Sequence, residues 1–236
     1  MLLTIAQAHA EATIVYLRGD VRDNGAPVVQ GQRVIAGSDI NTGQDARAHL
    51  RFSDGQVVIL DQNTTFRVAD YQYDAADGRA NRAYFDLAGG AIRMITGEIS
   101  RRAPNAFALR TRQATFSAQG TDYMVALVNP AYLNVVSGSV VVTNSSGAVL
   151  YGQGSFGEVA SPTTGGVVID ERDVPPAARS AFARLLEAQQ AAAAVPAAEA
   201  ASTGFDSTTL ILLGIGAVVL GAAGGGGGGT SSTTSH

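Results

Sequence analysis

Between residues 13 and 160 the chain repeats one pattern. Short runs of Val, Ile, Leu, Phe and Tyr alternate with polar residues and stop at Gly, Asp or Asn. A period of two residues is the mark of strands with one face buried. Thr13–Leu17 halts at Arg18-Gly19-Asp20. Ala48–Phe52 meets Ser53-Asp54-Gly55 before Gln56–Leu60, and Asn144–Gly147 turns the chain into Val149–Tyr151. Asp-Gly between alternating runs is a strong hairpin signal, because the turn needs a positive φ. Gly19-Asp20, Thr42-Gly43, Asp54-Gly55 and Ser137-Gly138 read as turns of this kind or as tight bends. Runs that recur about every 8–12 residues predict an all-β fold, an antiparallel β-sandwich or β-roll. Its inner face is expected to hold Phe52, Leu60, Phe66, Phe85, Leu87, Ile92, Phe107, Leu109, Tyr123, Val125, Val135, Val140 and Val142. Each Leu or Phe buried there contributes about 1.5–3 kcal/mol.

Past Asp170 the pattern changes. Asp173 is a candidate helix cap, Pro175-Pro176 fits a first turn, and Ala177–Ala194 is rich in good helix formers. Phe182, Leu185, Leu186 and Gln189 fall near one face of that short helix, which Pro196 ends. An Ala-rich linker runs to Asp206. The next segment, residues 207–229, contains Leu210, Ile211, Leu212, Leu213, Ile215, Val218, Val219 and Leu220, then six consecutive glycines and a polar tail over 230–236. The stretch from Thr209 to Gly229, built as helix, spans about 30 Å, one bilayer core. It is expected to be a C-terminal transmembrane anchor. The alternative is a buried or self-associating apolar tail, since its strongly apolar part, 210–223, is short for a span. At the other end, residues 1–12 carry Ala8-His9-Ala10, a small-x-small pattern that fits the tail of a signal peptide. The β domain is thus expected over 13–165, with helix and linker over 166–206.

Composition narrows the chemistry. The 236 residues carry a net charge of −4, every basic residue is Arg, and Cys and Trp are absent. An acidic chain offers no electrostatic support for nucleic acid, and zero Cys removes disulfide and thiol chemistry. With three His, none within ligand spacing of another on a recognisable frame, no metal or other cofactor is expected. Asp70, Asp74 and Asp77 do not fit a calcium loop and read as a solvated insert. Ser137-Gly138-Ser139 lacks the nucleophile-elbow pattern. Tyr71, Tyr73, Tyr84 and Tyr123 are candidates for glycan-facing rings, but tyrosines in strands usually pack the sheet. No catalytic residue is assigned.

Several stretches in order resemble the FecR-like domain family. They are Leu17–Val21, Gly31–Gly43, Ala46–Gly55, Leu87–Gly90, Phe107–Thr111, Gly120–Val125 and Val135–Val140. The resemblance covers residues 14–160, and no single piece is specific. It adds Gly120 and Thr121 to the structural turn positions Gly19, Gly43, Asp54, Gly55 and Gly138. One departure is Gln119, where the family often has Arg before the Gly-Thr pair. FecR regulators carry an anti-sigma segment and a membrane span ahead of this domain. Neither is read in this sequence, so sigma-factor regulation is not carried over.

The resemblance, the export-like start and the apolar tail together imply a non-catalytic protein of the periplasm or cell surface. Its expected partner is an envelope protein or a polysaccharide, with the membrane engaged through the C-terminal segment. The alternatives are a periplasmic sensor that signals through a membrane partner and, more weakly, an envelope glycan-active enzyme.

Overall fold

The computed structural model describes residues 11–194. The apolar segment Leu210–Leu220 and residues 1–10 of the expected signal-peptide remnant lie outside the described residues, whereas Ala12, the last residue of that expected remnant, is buried at the start of the first strand. Strands β1 (Ala12–Arg18), β2 (Val21–Asp23), β3 (Ala26–Pro27), β4 (Arg33–Val34), β5 (Asp39–Thr42), β6 (Arg47–Phe52), β7 (Val57–Leu60) and β8 (Thr65–Gln72) lead to the long β9 (Arg82–Ile95). A short helix α1 (Glu98–Arg102) precedes β10 (Phe107–Arg110), β11 (Thr115–Ala118), β12 (Asp122–Leu127) and β13 (Ala131–Ser137). Then come β14 (Ser139–Asn144), β15 (Gly147–Gly152), β16 (Phe156–Val159), β17 (Val167–Ile169) and helix α2 (Pro176–Ala194).

Register pairs place these strands in two layers that share β9. The first layer runs β4-β1-β6-β7-β9-β12-β13-β16-β17. The second runs β3-β2-β5-β8-β9-β10-β11-β14-β15. Residues Arg82–Gly89 of β9 pair with β8, and Gly90–Ile95 pair with β12. The crossing from one layer to the other falls at Gly90, whose φ is +82°. A Cβ there would lie 2.4 Å from the Thr64 Cα, so backbone packing itself demands glycine. The sheet is open: among the described residues β4 and β3 at one margin, and β17 and β15 at the other, each pair on one side only.

Every inner-face residue named from the sequence is buried between the layers, in one cluster with Ile14, Leu50 and Phe116. The Phe85 ring anchors it, with its centre 5.2 Å from that of Phe52, 5.4 Å from Phe66 and 6.2 Å from Phe107. At the β15/β17 margin Tyr151 plugs the gap between layers. Gly157 and Gly166 make room for its ring and hydroxyl, since a Cβ at either would lie 2.4 Å from Tyr151.

A second apolar cluster lies on the outer face of the first layer. Ile59, Ala91, Met124, Ala126 and Tyr132 are covered there by Val174 and by Ala178, Ala181, Phe182, Leu185 and Ala188 of α2. Those helix positions recur every three or four residues, and the alanines let the helix axis approach the sheet closely. With both faces covered, β12 and β13 are buried almost continuously, whereas β11 and β14 of the second layer alternate.

Four expectations are corrected. The strand region contains a helix, α1, because Asp54 accepts hydrogen bonds that stabilise a helical start at Glu98–Ile99. One pairing is parallel, β9 with β10, since the chain crosses back over α1 to restart beside the first half of β9. Asp173 does not cap α2: it ends a 3₁₀ turn, Glu171–Asp173, in which Asp170 is the capping residue. Leu186 is exposed while Phe182 and Leu185 are buried, so the packed face is centred on Ala181 and Leu185. Among the described residues, no helix is long and apolar enough to cross a membrane.

Candidate functional site

A groove runs between α2 and the first layer, beside the turn that joins β7 to β8. Asp61 leaves β7 directly after Leu60, and its side chain is 3% exposed. Arg184 of α2 reaches across to it. Its Nε donates to Oδ1 at 3.1 Å and Oδ2 at 2.9 Å, and its Nη2 donates to Oδ2 at 2.7 Å. The carboxylate beside it holds the Arg184 guanidinium further above its usual range. Arg47 of β6 stands at 4.0 Å from the same carboxylate.

The turn under the groove is braced from below. The Thr42 hydroxyl donates to the Asp61 carbonyl at 2.6 Å and accepts from the Thr64 amide at 2.9 Å. The Thr64 hydroxyl donates to the Ala91 carbonyl at 3.1 Å and accepts from the Ala91 amide at 3.1 Å. Gln62 accepts from the Asp45 amide at 3.1 Å. Buried donors and acceptors paired in this way hold the turn in one conformation.

Two cavities make up the groove and share Asp61, Gln62 and Arg184. One, of 310 Å³, is walled by Ala91, Val128, Ala177 and Ala181. The other, of 100 Å³, lies among Arg18, Asp45 and Arg47. Arg18 and Arg47 stand directly opposite each other in the β1–β6 ladder. Two strand positions from Arg47, His49 is buried against the Tyr16 ring, centre to centre 4.7 Å, with Nε2 unpaired among the described residues. Burial first, and then the Arg47 charge, push its imidazole down to about 4. It is therefore neutral near pH 7.

The sequence-read turn positions lie elsewhere and gather at two places. Gly55 has φ +83° in the β6–β7 hairpin, and Asp54 beside it binds α1. The Asp54 carboxylate accepts from the Gln56 amide at 3.1 Å, the Tyr71 hydroxyl at 3.1 Å and the Ile99 amide at 3.2 Å. Burial and this carboxylate push the Tyr71 hydroxyl far above its ordinary range. Gly120, at φ +63°, and Thr121 meet Gly138, at φ +81°. The Thr121 hydroxyl donates to the Ser139 carbonyl at 2.8 Å, and a Cβ on Gly138 would lie 2.9 Å from that hydroxyl. Gly19 has φ +75° and packs on Ala46, and Gly43 faces Asp20. Gln119 donates to the Arg101 carbonyl at 3.2 Å.

Tyr71 and Tyr123 are buried and present no ring to a glycan. Asp70 pairs with Arg82 and Asp77 with Arg79. Among the described residues, no group of three His, Asp or Glu could hold a metal ion. The groove itself escaped the sequence reading, because Arg18, Asp61 and Arg184 are far apart in the chain and belong to no motif. The Arg–Arg facing pair was detectable only once the β1–β6 register was known.

Residues 38–141 match the family model described as FecR protein. The chain carries a FecR domain. The matched stretch begins just before β5 and ends within β14, so it contains Asp45, Arg47 and Asp61 but neither Arg18 nor Arg184. The groove is therefore built jointly by the FecR domain and by two flanking elements, β1 and α2. No curated protein matches the chain. Two crystal structures, at 1.65 and 2.50 Å, of a protein named as a candidate anti-sigma factor from Parabacteroides distasonis are similar at 18% identity, with TM-scores of 0.45 and 0.46. The similarity covers 56% of this chain and 59% of theirs, so the chain spans under two thirds of their length.

Proposed function

We propose that this protein is a non-catalytic binding module of the bacterial cell envelope, with a regulatory or signalling role and a protein or polysaccharide partner outside the cytoplasm. The observation that carries this reading is the FecR domain over residues 38–141. The export-like Ala8-His9-Ala10 and the apolar run from Leu210 to Leu220 support placement in the periplasm or at the cell surface, tethered to a membrane. The deciding experiment captures partners of the full chain from cross-linked envelope extracts. A discrete envelope partner is expected, and a chain found only in the cytosolic fraction would overturn the reading. The anchor has its own test. The full chain is expected to partition with membranes and to need detergent, while residues 11–200 stay soluble. Full-length protein that is released by a salt wash alone would show that the apolar run does not insert.

The FecR family favours one second reading, a sensor whose β-rich domain relays an envelope state through a membrane partner. Deleting residues 207–236 should abolish any associated transcriptional response. A response that survives the deletion sinks the relay.

A further inference from the structure

We propose that the groove between α2 and the first layer binds the free C-terminus of a peptide. Its carboxylate would sit between Arg18 and Arg47, and its last, small apolar side chain against Ala91, Val128, Ala177 and Ala181. The proposal rests on the binding-module reading above and names the ligand class for this groove.

The argument starts from an unbalanced charge. Like charges directly opposite on one sheet face repel, and Arg18 faces Arg47 in register. Among the described residues Arg18 has no ion pair, and Arg47 stands at 4.0 Å from a carboxylate already held by Arg184 through three short contacts. Three guanidiniums thus face two carboxylates, Asp45 and Asp61, across a cavity of 100 Å³. A planar carboxylate fits that volume and matches the guanidinium fork through paired N–H···O bonds. It also supplies the negative charge that the facing arginines lack.

The adjoining cavity sets what the carboxylate is attached to. Its wall is formed by three alanines and Val128, while Gln62 and Asn63 offer amide groups along one side. A terminal residue with a small aliphatic side chain places apolar surface on that wall and a backbone amide beside Gln62 or Asn63. Among the described residues no aromatic ring lines either cavity, so those walls offer a uronic acid no platform to stack on. The site is also preorganised, because the 61–64 turn is tied by hydrogen bonds to β5 and β9. A fixed site loses little freedom on binding.

The test uses a labelled N-acetyl-Ala-Ala-Val peptide as free acid and as C-terminal amide, titrated into the full chain by fluorescence anisotropy. The acid is expected to bind, with the amide at least tenfold weaker. Arg18→Gln and Arg47→Gln are each expected to weaken the acid at least tenfold and leave the amide unchanged. Arg18 is exposed, so its variant keeps the test valid even if Arg47→Gln fails to fold. Equal binding of acid and amide, wild-type affinity in Arg18→Gln, or no binding to the folded chain would each overturn the proposal. Binding of D-glucuronate where the peptide fails would equally overturn it, and would reassign the groove to acidic glycans. If Arg18→Gln captures the same envelope partner as the wild type, the groove assignment fails while the binding-module reading stands. If the wild type captures none, the broader reading fails.

Discussion

His49 couples the fold to pH. The unfolded chain takes up a proton on this residue near pH 6.5, whereas in the folded state the imidazole stays neutral down to about 4. Protons therefore favour the unfolded state, so the contribution of His49 is complete above pH 6.5 and is lost as pH falls toward 4. The loss by pH 4 is on the order of 3 kcal/mol. Urea melts of wild type and His49→Gln at pH 7.5 and 4.5 should show a smaller acid-induced loss in the variant; equal losses would mean that the imidazole is not desolvated as placed. Two glycines with the same sign of φ make a second comparison. Gly55→Ala meets no atom within 4 Å and should cost only the left-handed backbone penalty, about 1–2 kcal/mol. Gly90→Ala also drives a Cβ into the Thr64 backbone and should cost about 3–5 kcal/mol. Comparable melting points for the two variants would refute the close crossing at Gly90. The sequence revealed Gly55 through its Asp-Gly hairpin signal. The role of Gly90 depends on Thr64, a neighbour from another strand that no local pattern announces.

Among the elements, α2 was readable as a helix but not as a partner of the sheet. Its packing face is mostly alanine, which carries little hydrophobic contrast, and the residues that receive it alternate with core residues inside strands buried on both sides. For the same reason the inner face was legible in full, while Ile59, Ala91, Met124, Ala126 and Tyr132 were not read as a second apolar face. The element is fastened by Arg184. Replacing it with Met leaves Arg47, at 4.0 Å, as the remaining ion-pair partner of the buried Asp61 carboxylate among the described residues. The expected cost is about 2–3 kcal/mol, less than for a fully buried pair because Arg184 is about one third exposed. Adding Asp61→Asn should restore part of that stability, since the orphaned charge is then gone. A double variant less stable than Arg184→Met alone would show that Asp61 does not depend on its partner.

For the molecule as a whole, the legible part was the repeating strand and turn chemistry, which is local. The hidden part was the pairing order. The two layers, the parallel β9–β10 pair and the groove all follow from contacts between distant segments, and they hinge on β9 serving both layers. The link from α2 onward has a mechanical consequence. α2 is the last described element, so a pull applied to the chain at Ala194 loads this helix before the strands. Among the described side chains its hold on the sheet is one ion pair and a few apolar contacts, whereas the strands beneath are laced by ladders of backbone hydrogen bonds. Pulling in an optical trap through a handle attached at Ala194 should therefore give a short first release, matching residues 174–194, before the strands rupture at higher force. A single rupture event would contradict this order. Under load α2 is the weak link, and its departure would strip one wall from the groove while leaving the two-layered sheet intact, a mechanical fuse that yields before the body does.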